Sequence, residues 1–241
     1  MKTIIGRSPL SIYSSFSRRA VLALALLVAG SAALRAAEGT TTRFVAKPGT
    51  SKVRIEGTST IHDWQMESPL IGGYLEAGPD FPTKPGADIK PGKVNVKVEA
   101  FIPVRSLKSL EKDGKPYSDK MDEIVWEKLL QQKFPRIIYR ISELVFKEAK
   151  DGAYVFDSTG DLIVAGVTNK ISMPVNITPV DGGKALHIIG NTKTKMSDFK
   201  VEPPSPTGLG MLIKTGDEVK LFFDWTVEQK GPAAPATASK P

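Results

Sequence analysis

The chain of 241 residues contains no cysteine and only two histidines, which excludes disulfide scaffolds, thiol catalysis and thiolate metal sites. Its formal net charge is +7, but five of its 33 basic residues and none of its 26 acidic residues lie in the first 37 positions. The remainder therefore has 28 basic and 26 acidic residues, a net charge of +2. Such a nearly neutral domain has little electrostatic reason to bind nucleic acid.

Residues 1–37 have the pattern of an export signal. Basic residues precede an unbroken apolar run of 11 residues at 20–30, which is too short to span a bilayer as a stable helix. Small residues follow, and they predict cleavage after Ala33, with Ala36 or Ala37 as alternatives. We therefore expect a periplasmic or secreted protein with no membrane span after cleavage, exported by either the general or the twin-arginine route.

Eight segments alternate apolar and polar side chains, as strands with one buried face do. The first is broken, and Pro69 in the second favours an edge or a bulge. In the last strand, alternate large apolar residues from Val219 to Val227 share one face. The predicted strands cover 44–47 with 51–57, 64–75, 94–102, 136–146, 154–164, 170–178, 184–194 and 218–228.

Three stretches interrupt the strands. A loop at 77–92 contains four prolines and three glycines. Apolar residues at helical spacing predict a short helix at 120–130, with Ser118 as its N-cap. The tail at 230–241 is rich in proline and alanine, and we expect it to be disordered.

Eight strands with glycine-rich turns predict one all-β domain between the signal and the tail. The pattern favours a closed eight-stranded antiparallel barrel with one short flanking helix over a sandwich. Closure removes exposed sheet edges. A barrel of eight strands is also about the size that holds one small ligand in its interior.

No catalytic or metal site is indicated, and we expect a protein that is not an enzyme. His62 and His187 lie in different predicted strands, 125 positions apart. His62 and Asp63 are neighbours in the chain, so in a strand their side chains would point to opposite faces. Neither a G-x-S-x-G motif nor a glycine-rich phosphate loop is present.

Five motifs in order resemble the YceI-like family of exported bacterial lipid-binding proteins, over about residues 43 to 229. They are Gly57-Thr58-Ser59-Thr60-Ile61-His62-Asp63-Trp64, the run at 101–107, the stretch at 120–137, the run at 160–170, and Met196-Ser197-Asp198-Phe199. The resemblance implies a lipocalin-like barrel that holds a polyisoprenoid or a similar long amphiphile.

From the resemblance and the strand parity we expect an exported carrier for a long isoprenoid lipid, polyprenyl or quinone-like. The alternatives are an enzyme that acts on such a lipid and an interaction module with a filled barrel. We expect no cofactor apart from the bound lipid, and a homodimer is left open. A polar head group would lie at the barrel mouth near His62, Asp63 or Asp198. The candidate ligand-binding residues are His62, Trp64, Met66, Phe101, Met173, Asp198, Phe199, Phe223 and Trp225.

Overall fold

The computed structural model describes residues 41–204 and 214–230. The predicted signal peptide at 1–37 lies outside the described residues, as does the predicted tail apart from Lys230. In the described part of the chain, no helix is both long enough and apolar enough to cross a membrane.

The described residues form twelve strands, one α-helix and three short 3₁₀ turns. The strands are β1 (Thr42–Ala46), β2 (Lys52–Ser59), β3 (Trp64–Ser68), β4 (Gly72–Ala77), β5 (Gly92–Lys93), β6 (Val96–Pro103), β7 (Lys108–Leu110), β8 (Arg136–Lys150), β9 (Ala153–Val164), β10 (Val167–Val180), β11 (Ala185–Lys195) and β12 (Thr215–Gln229). The helix α1 is Asp119–Lys128, and the turns are Val104–Ser106, Asp181–Gly183 and Ser197–Phe199.

The strands form one closed antiparallel barrel, which confirms the predicted fold class. Strands β8 to β12 pair in chain order, and β12 closes the barrel by pairing with β2 over one half of its length and with β1 over the other. Thus β1 and β2 act as one interrupted strand, as predicted for 44–57. The next strand is also interrupted: β3 pairs with β2, and β4 pairs with β1. Counted in this way, eight strands surround the interior.

Two tight turns set the register of the longest strands. Asp151 and Gly152 join β8 to β9 with φ values of 52° and 78°. Ala165 and Gly166 join β9 to β10 with φ values of 49° and 81°. Two left-handed residues in succession are typical of hairpin turns whose twist matches that of the strands. Asp151-Gly152 is also a dipeptide that favours such turns.

Helix α1 lies where the sequence predicts a helix. The Ser118 hydroxyl caps it by accepting a hydrogen bond from the backbone N–H of Met121 at 3.4 Å. The buried carboxylate of Asp122 fastens the helix to β7, because it accepts the backbone N–H of Ser109 at 2.6 Å and pairs with Lys108 at 3.0 Å. The helix is thereby held against the barrel.

The proline-rich loop closes one end of the barrel, a role that the sequence does not indicate. Phe81 from this loop is buried, and its ring stacks on Phe156 of β9 with centroids 5.9 Å apart. The hydroxyl of Tyr154 lies 3.1 Å from the carbonyl oxygen of Lys84 and 3.0 Å from that of Ala87. The loop is therefore held by aromatic packing and by a buried phenol.

We expect Tyr154→Phe to lower the free energy of unfolding by about 1–3 kcal/mol, because two loop carbonyls lose their shared donor. Tyr74→Phe is the matched control, since Tyr74 lies in β4 with its ring beneath the guanidinium of Arg43 at 4.0 Å. Urea unfolding of both variants measures the difference. Equal stability of the two variants would show that the phenol does not fasten the loop.

Candidate functional site

The barrel encloses a cavity of about 1180 Å³. Its wall consists mainly of apolar side chains that strand alternation directs inward. The volume lies above the range of about 300–1,000 Å³ that is usual for ligand pockets. Residues from all sides of the barrel line it, among them Ile55, Val98, Ile141, Leu144, Val175 and Ile188.

Helix α1 supplies part of the cavity wall. Met121, Val125 and Leu129 lie on one face of the helix at the spacing of its turns, and all three line the cavity. On another side of the helix, the indole N–H of Trp126 donates to the carbonyl oxygen of Leu107 at 3.0 Å. The predicted flanking helix is therefore a structural part of the site.

The cavity has a polar mouth at one end of the barrel. The charged residues that line the cavity lie where β2 and β11 end and where β3 and β12 begin, in the loop after β7, and at the end of α1. They are Glu56, Asp63, Glu111, Lys112, Asp113, Lys115, Lys128, Lys195, Glu218 and Lys220. The opposite end is the one closed by Phe81 and Phe156, neither of which lines the cavity.

The Thr58–Trp64 motif forms an edge of this mouth. Ser59 stabilises the turn of this motif with two hydrogen bonds to His62. Its hydroxyl accepts the backbone N–H of His62 at 3.2 Å and donates to the carbonyl oxygen of His62 at 2.7 Å. Nδ1 of His62 lies 2.8 Å from the backbone oxygen of Asp63, and not against its carboxylate. His187, by contrast, pairs with Asp224 at 2.7 Å and does not line the cavity. The two histidines are therefore not brought together.

Two interior glycines make room for large aromatic rings. A Cβ atom on Gly57 would lie 2.2 Å from the ring of Trp64, its partner in the neighbouring strand. A Cβ atom on Gly190 would lie 2.3 Å from the ring of Phe223, again its register partner. Both rings line the cavity. The glycines are required because each ring lies directly over the opposing backbone.

A polar pair interrupts the apolar wall, and the sequence analysis missed it. The hydroxyls of Tyr139 in β8 and Ser158 in β9 lie 2.7 Å apart, and both residues line the cavity. Burial raises the pKa of the Tyr139 phenol above its usual value, although the hydrogen bond with Ser158 opposes this shift. Tyr139 therefore stays neutral and can donate. The inward parity of both positions is the signal that could have identified them.

The raised pKa of Tyr139 predicts a pH-dependent stability. The Tyr139 phenol ionises at a lower pH in the unfolded chain than in the folded protein. The contribution of the neutral phenol to the free energy of unfolding is therefore complete below about pH 10, and it is lost as the pH rises through the pKa of the folded protein. We expect the free energy of unfolding to fall above about pH 10, and to fall less steeply in Tyr139→Phe. Urea titrations from pH 8 to 11 measure the two slopes. Parallel slopes for the two proteins would contradict the assignment.

Of the nine residues expected to bind a ligand, eight line the cavity and one does not. Met66, Met173, Phe199 and Trp225 are buried members of its wall. Trp64 and Phe223 are the rings over glycine, and His62 lies at the mouth. The structure thus brings these residues together around one space.

Phe101 and Asp198 are placed differently. Phe101 is a lining residue, but its ring packs over Gly72 and lies 4.2 Å beneath the guanidinium of Arg136. Strand alternation directs the Phe101 ring outward, because the residues on either side of it in β6, Ala100 and Ile102, face the cavity. Asp198 is exposed outside the main cavity, and its carboxylate accepts the backbone N–H of Lys195 at 3.3 Å. It holds the turn that follows β11.

Within residues 41–204 and 214–230, no three or more His, Asp or Glu side chains form a group that could hold a metal ion. The cavity offers an apolar wall, the hydroxyls of Tyr139 and Ser158, and a charged mouth. These groups can bind an elongated apolar molecule with polar atoms at defined places.

The fold is an antiparallel β-barrel that encloses a mainly apolar cavity. A family model described as the YceI-like domain matches residues 80–227, more than half of the chain, and the chain belongs to this family. A comparison with curated protein sequences gives no match.

Two solved structures show the same fold. A polyisoprenoid binding domain from Saccharophagus degradans, implicated in plant cell wall breakdown, matches with a TM-score of 0.55 at 12% identity. The match covers 79% of this chain and 99% of that one. BcnA from Burkholderia cenocepacia matches with a TM-score of 0.53 at 18% identity, over 75% of this chain and 98% of that one.

Proposed function

We propose that the protein is an exported, periplasmic or secreted carrier that holds one long isoprenoid lipid, polyprenyl or quinone-like, inside its barrel. It acts by binding, without catalysis. The observation that carries the proposal is the cavity of about 1180 Å³ with an apolar wall and, among the described residues, charged side chains gathered at one end. Membership of the YceI-like family and the fold shared with a polyisoprenoid binding domain support the choice of ligand.

Affinity would come from the apolar wall. Burial contributes about 25 cal/mol per Å² of chain removed from water, and the ordering of a flexible lipid reduces the total. A charged head group, where the ligand has one, lies at the mouth, since the charged lining residues are there. Lys112 and Lys195 line this mouth and could pair with an anionic group, whereas the ammonium group of Lys115 already pairs with Asp113 at 2.6 Å.

Native mass spectrometry of the mature protein, followed by solvent extraction, tests the proposal. We expect a mass in excess of the polypeptide and one class of long-chain lipid in the extract. Delipidated protein should then regain an apolar fluorescent probe. A lipid-free protein that binds no probe would favour the alternative of an interaction module whose barrel is filled by side chains. Turnover of the extracted lipid would favour the alternative of an enzyme that acts on this lipid.

A cavity-filling variant makes the test specific to the interior. Thr192 in β11 lines the cavity, whereas its neighbour Asn191 is exposed on the outer face. The indole of Thr192→Trp would occupy space that the lipid needs, and overpacking an interior costs about 1–3 kcal/mol. We expect this cost to fall on the binding free energy and to weaken lipid binding about tenfold or more. Asn191→Trp is the matched control and should retain the lipid. Equal lipid content in the two variants would place the lipid outside the barrel.

A further inference from the structure

Exposed apolar side chains stand at the edge of the cavity mouth. In the described part of the chain, the exposed large apolar side chains are Ile61, Leu70, Tyr117, Leu130 and Ile189. Ile61 is the most exposed of them, at 63%. Of these side chains, Ile61 and Tyr117 also line the cavity. These two residues therefore form an apolar rim, which borders the cavity and is open to the surroundings of the protein.

Hydrogen bonds hold the turn that presents Ile61. The hydroxyl of Ser59 accepts the backbone N–H of Ile61 at 3.3 Å and that of His62 at 3.2 Å. The backbone N–H of Thr60 donates to the carbonyl oxygen of Lys214 at 3.0 Å, which joins the turn to the start of β12. Ile61 is thus presented by a backbone that is already ordered, so contact with a surface needs little further ordering of the chain.

Tyr117 extends the rim from the turn to the segment after β7. Its ring meets the ring of His62 edge-on, with centroids 6.1 Å apart. Its backbone N–H donates to the carbonyl oxygen of Ser109 in β7 at 2.9 Å. Tyrosine is enriched at membrane–water interfaces, because its ring is apolar and its hydroxyl is polar. The rim therefore combines an aliphatic side chain with an aromatic residue suited to an interface.

The charges around the rim select an apolar contact. The charged residues that line the cavity comprise five acids and five lysines. Because these charges balance, they provide no net attraction to an anionic surface. The feature that remains for recognition is the apolar surface of Ile61 and Tyr117.

A lipid bilayer fits this rim better than a protein surface does. A long apolar lipid that crossed water would expose its whole chain, at a cost proportional to the exposed area. From Ile61, the cavity wall continues through Trp64 and Met66 of β3. A bilayer in contact with the rim can therefore pass a lipid into the cavity along apolar side chains. A protein seated on the rim would cover the mouth without supplying a lipid.

We propose that the apolar rim of Ile61 and Tyr117 is a docking edge for the surface of a lipid bilayer, from which the barrel takes up its ligand. This inference rests on the proposed function, because it requires a ligand that resides in membranes. Interfacial binding scales with the apolar area that enters the bilayer. Two side chains bury a small area, so the contact is weak and reversible, as a carrier that must leave the membrane requires.

Transfer of 1-dodecylpyrene from phosphatidylcholine vesicles to delipidated protein tests the rim. Loss of pyrene excimer emission measures the transfer rate. We expect the wild-type rate to rise with protein concentration, since transfer by contact does so and release through water does not. Ile61→Asp should lower the rate about tenfold, and by more than it lowers the equilibrium affinity for the probe, because a carboxylate resists entry into the bilayer.

Ile189→Asp is the matched control. Ile189 is 44% exposed on the outer face of β11 and does not line the cavity, so the same substitution there should leave the transfer rate unchanged. Co-flotation of the proteins with the vesicles gives a second readout. We expect the wild-type protein to float in equal amount at low and at high salt, because the contact is apolar.

Three results would overturn the docking edge. If the transfer rate is independent of protein concentration and equal in the three proteins, the docking edge is wrong and the carrier function stands. If sedimentation shows that Ile61→Asp dissociates a wild-type dimer without changing the transfer rate, the rim belongs to a second copy of the chain. If the wild-type protein does not bind the probe even at equilibrium, the carrier function and this inference fail together.

Discussion

Met173→Lys is expected to reduce the co-purifying lipid to background while the barrel still folds. Met173 is 7% exposed and lines the cavity from β10, where its strand partner is Ser158. A lysine there would place an unpaired ammonium group in the apolar wall, where the lipid chain would have to cover it. We expect the apo protein to lose about 3–5 kcal/mol of unfolding free energy, since a buried unpaired charge is strongly destabilising.

The control is the same substitution one position earlier. Ser172 is exposed on the outer face of β10, so Ser172→Lys adds the same charge to the same strand without entering the cavity. Lipid content after extraction and urea unfolding of the delipidated proteins measure both effects. Wild-type lipid content in Met173→Lys would contradict a ligand that lies along this wall.

The inward face of the barrel could be predicted from the sequence because strand side chains alternate with a period of two. Val219, Leu221, Phe223 and Trp225 were assigned to one face by parity, and all four line the cavity. Met173 follows from the same rule. Local alternation was sufficient here because these strands run without interruption through the positions concerned.

Alternation does not account for every placement. Phe101 was expected to bind the ligand, but alternation in β6 turns Ala100 inward and the Phe101 ring outward. Asp198 lies in the turn after β11, beside the mouth residues Lys195 and Phe199, but it does not line the main cavity and its carboxylate accepts the backbone N–H of Lys195. The stacking of Phe81 on Phe156 joins residues 75 positions apart, and no local pattern in a proline-rich loop indicates it.

The Tyr139–Ser158 pair was missed for a related reason. A tyrosine and a serine in neighbouring strands are unremarkable until the register is known, because only the register shows that the ring crosses Gly160 to reach the serine. Polar details of an apolar cavity therefore depend on the complete fold.

Two phenylalanines distinguish the packed end of the barrel from the wall of its cavity. Phe156 is fully buried, stacks on Phe81, and meets Phe146 edge-on with centroids 5.5 Å apart. We expect Phe156→Ala to lower the apo unfolding free energy by about 3–5 kcal/mol, as in a filled core. Phe223 is only partly buried and borders the cavity, so Phe223→Ala should cost the apo protein less, about 1–2 kcal/mol.

For lipid affinity the two variants should rank in the opposite order, with Phe223→Ala losing more than Phe156→Ala. Phe223→Ala removes a ring that a lipid chain would contact, whereas Phe156 does not line the cavity, so only the first variant should lose lipid affinity. Stability must be measured on delipidated protein, because a ligand that binds only the folded state would raise the apparent stability of the wild type. Equal apo costs for the two variants, with no change in lipid binding for Phe223→Ala, would mean that the interior around Phe223 is packed core. The expected crossing of the two effects is specific to a barrel that is filled at one end and open to a ligand along the rest of its length.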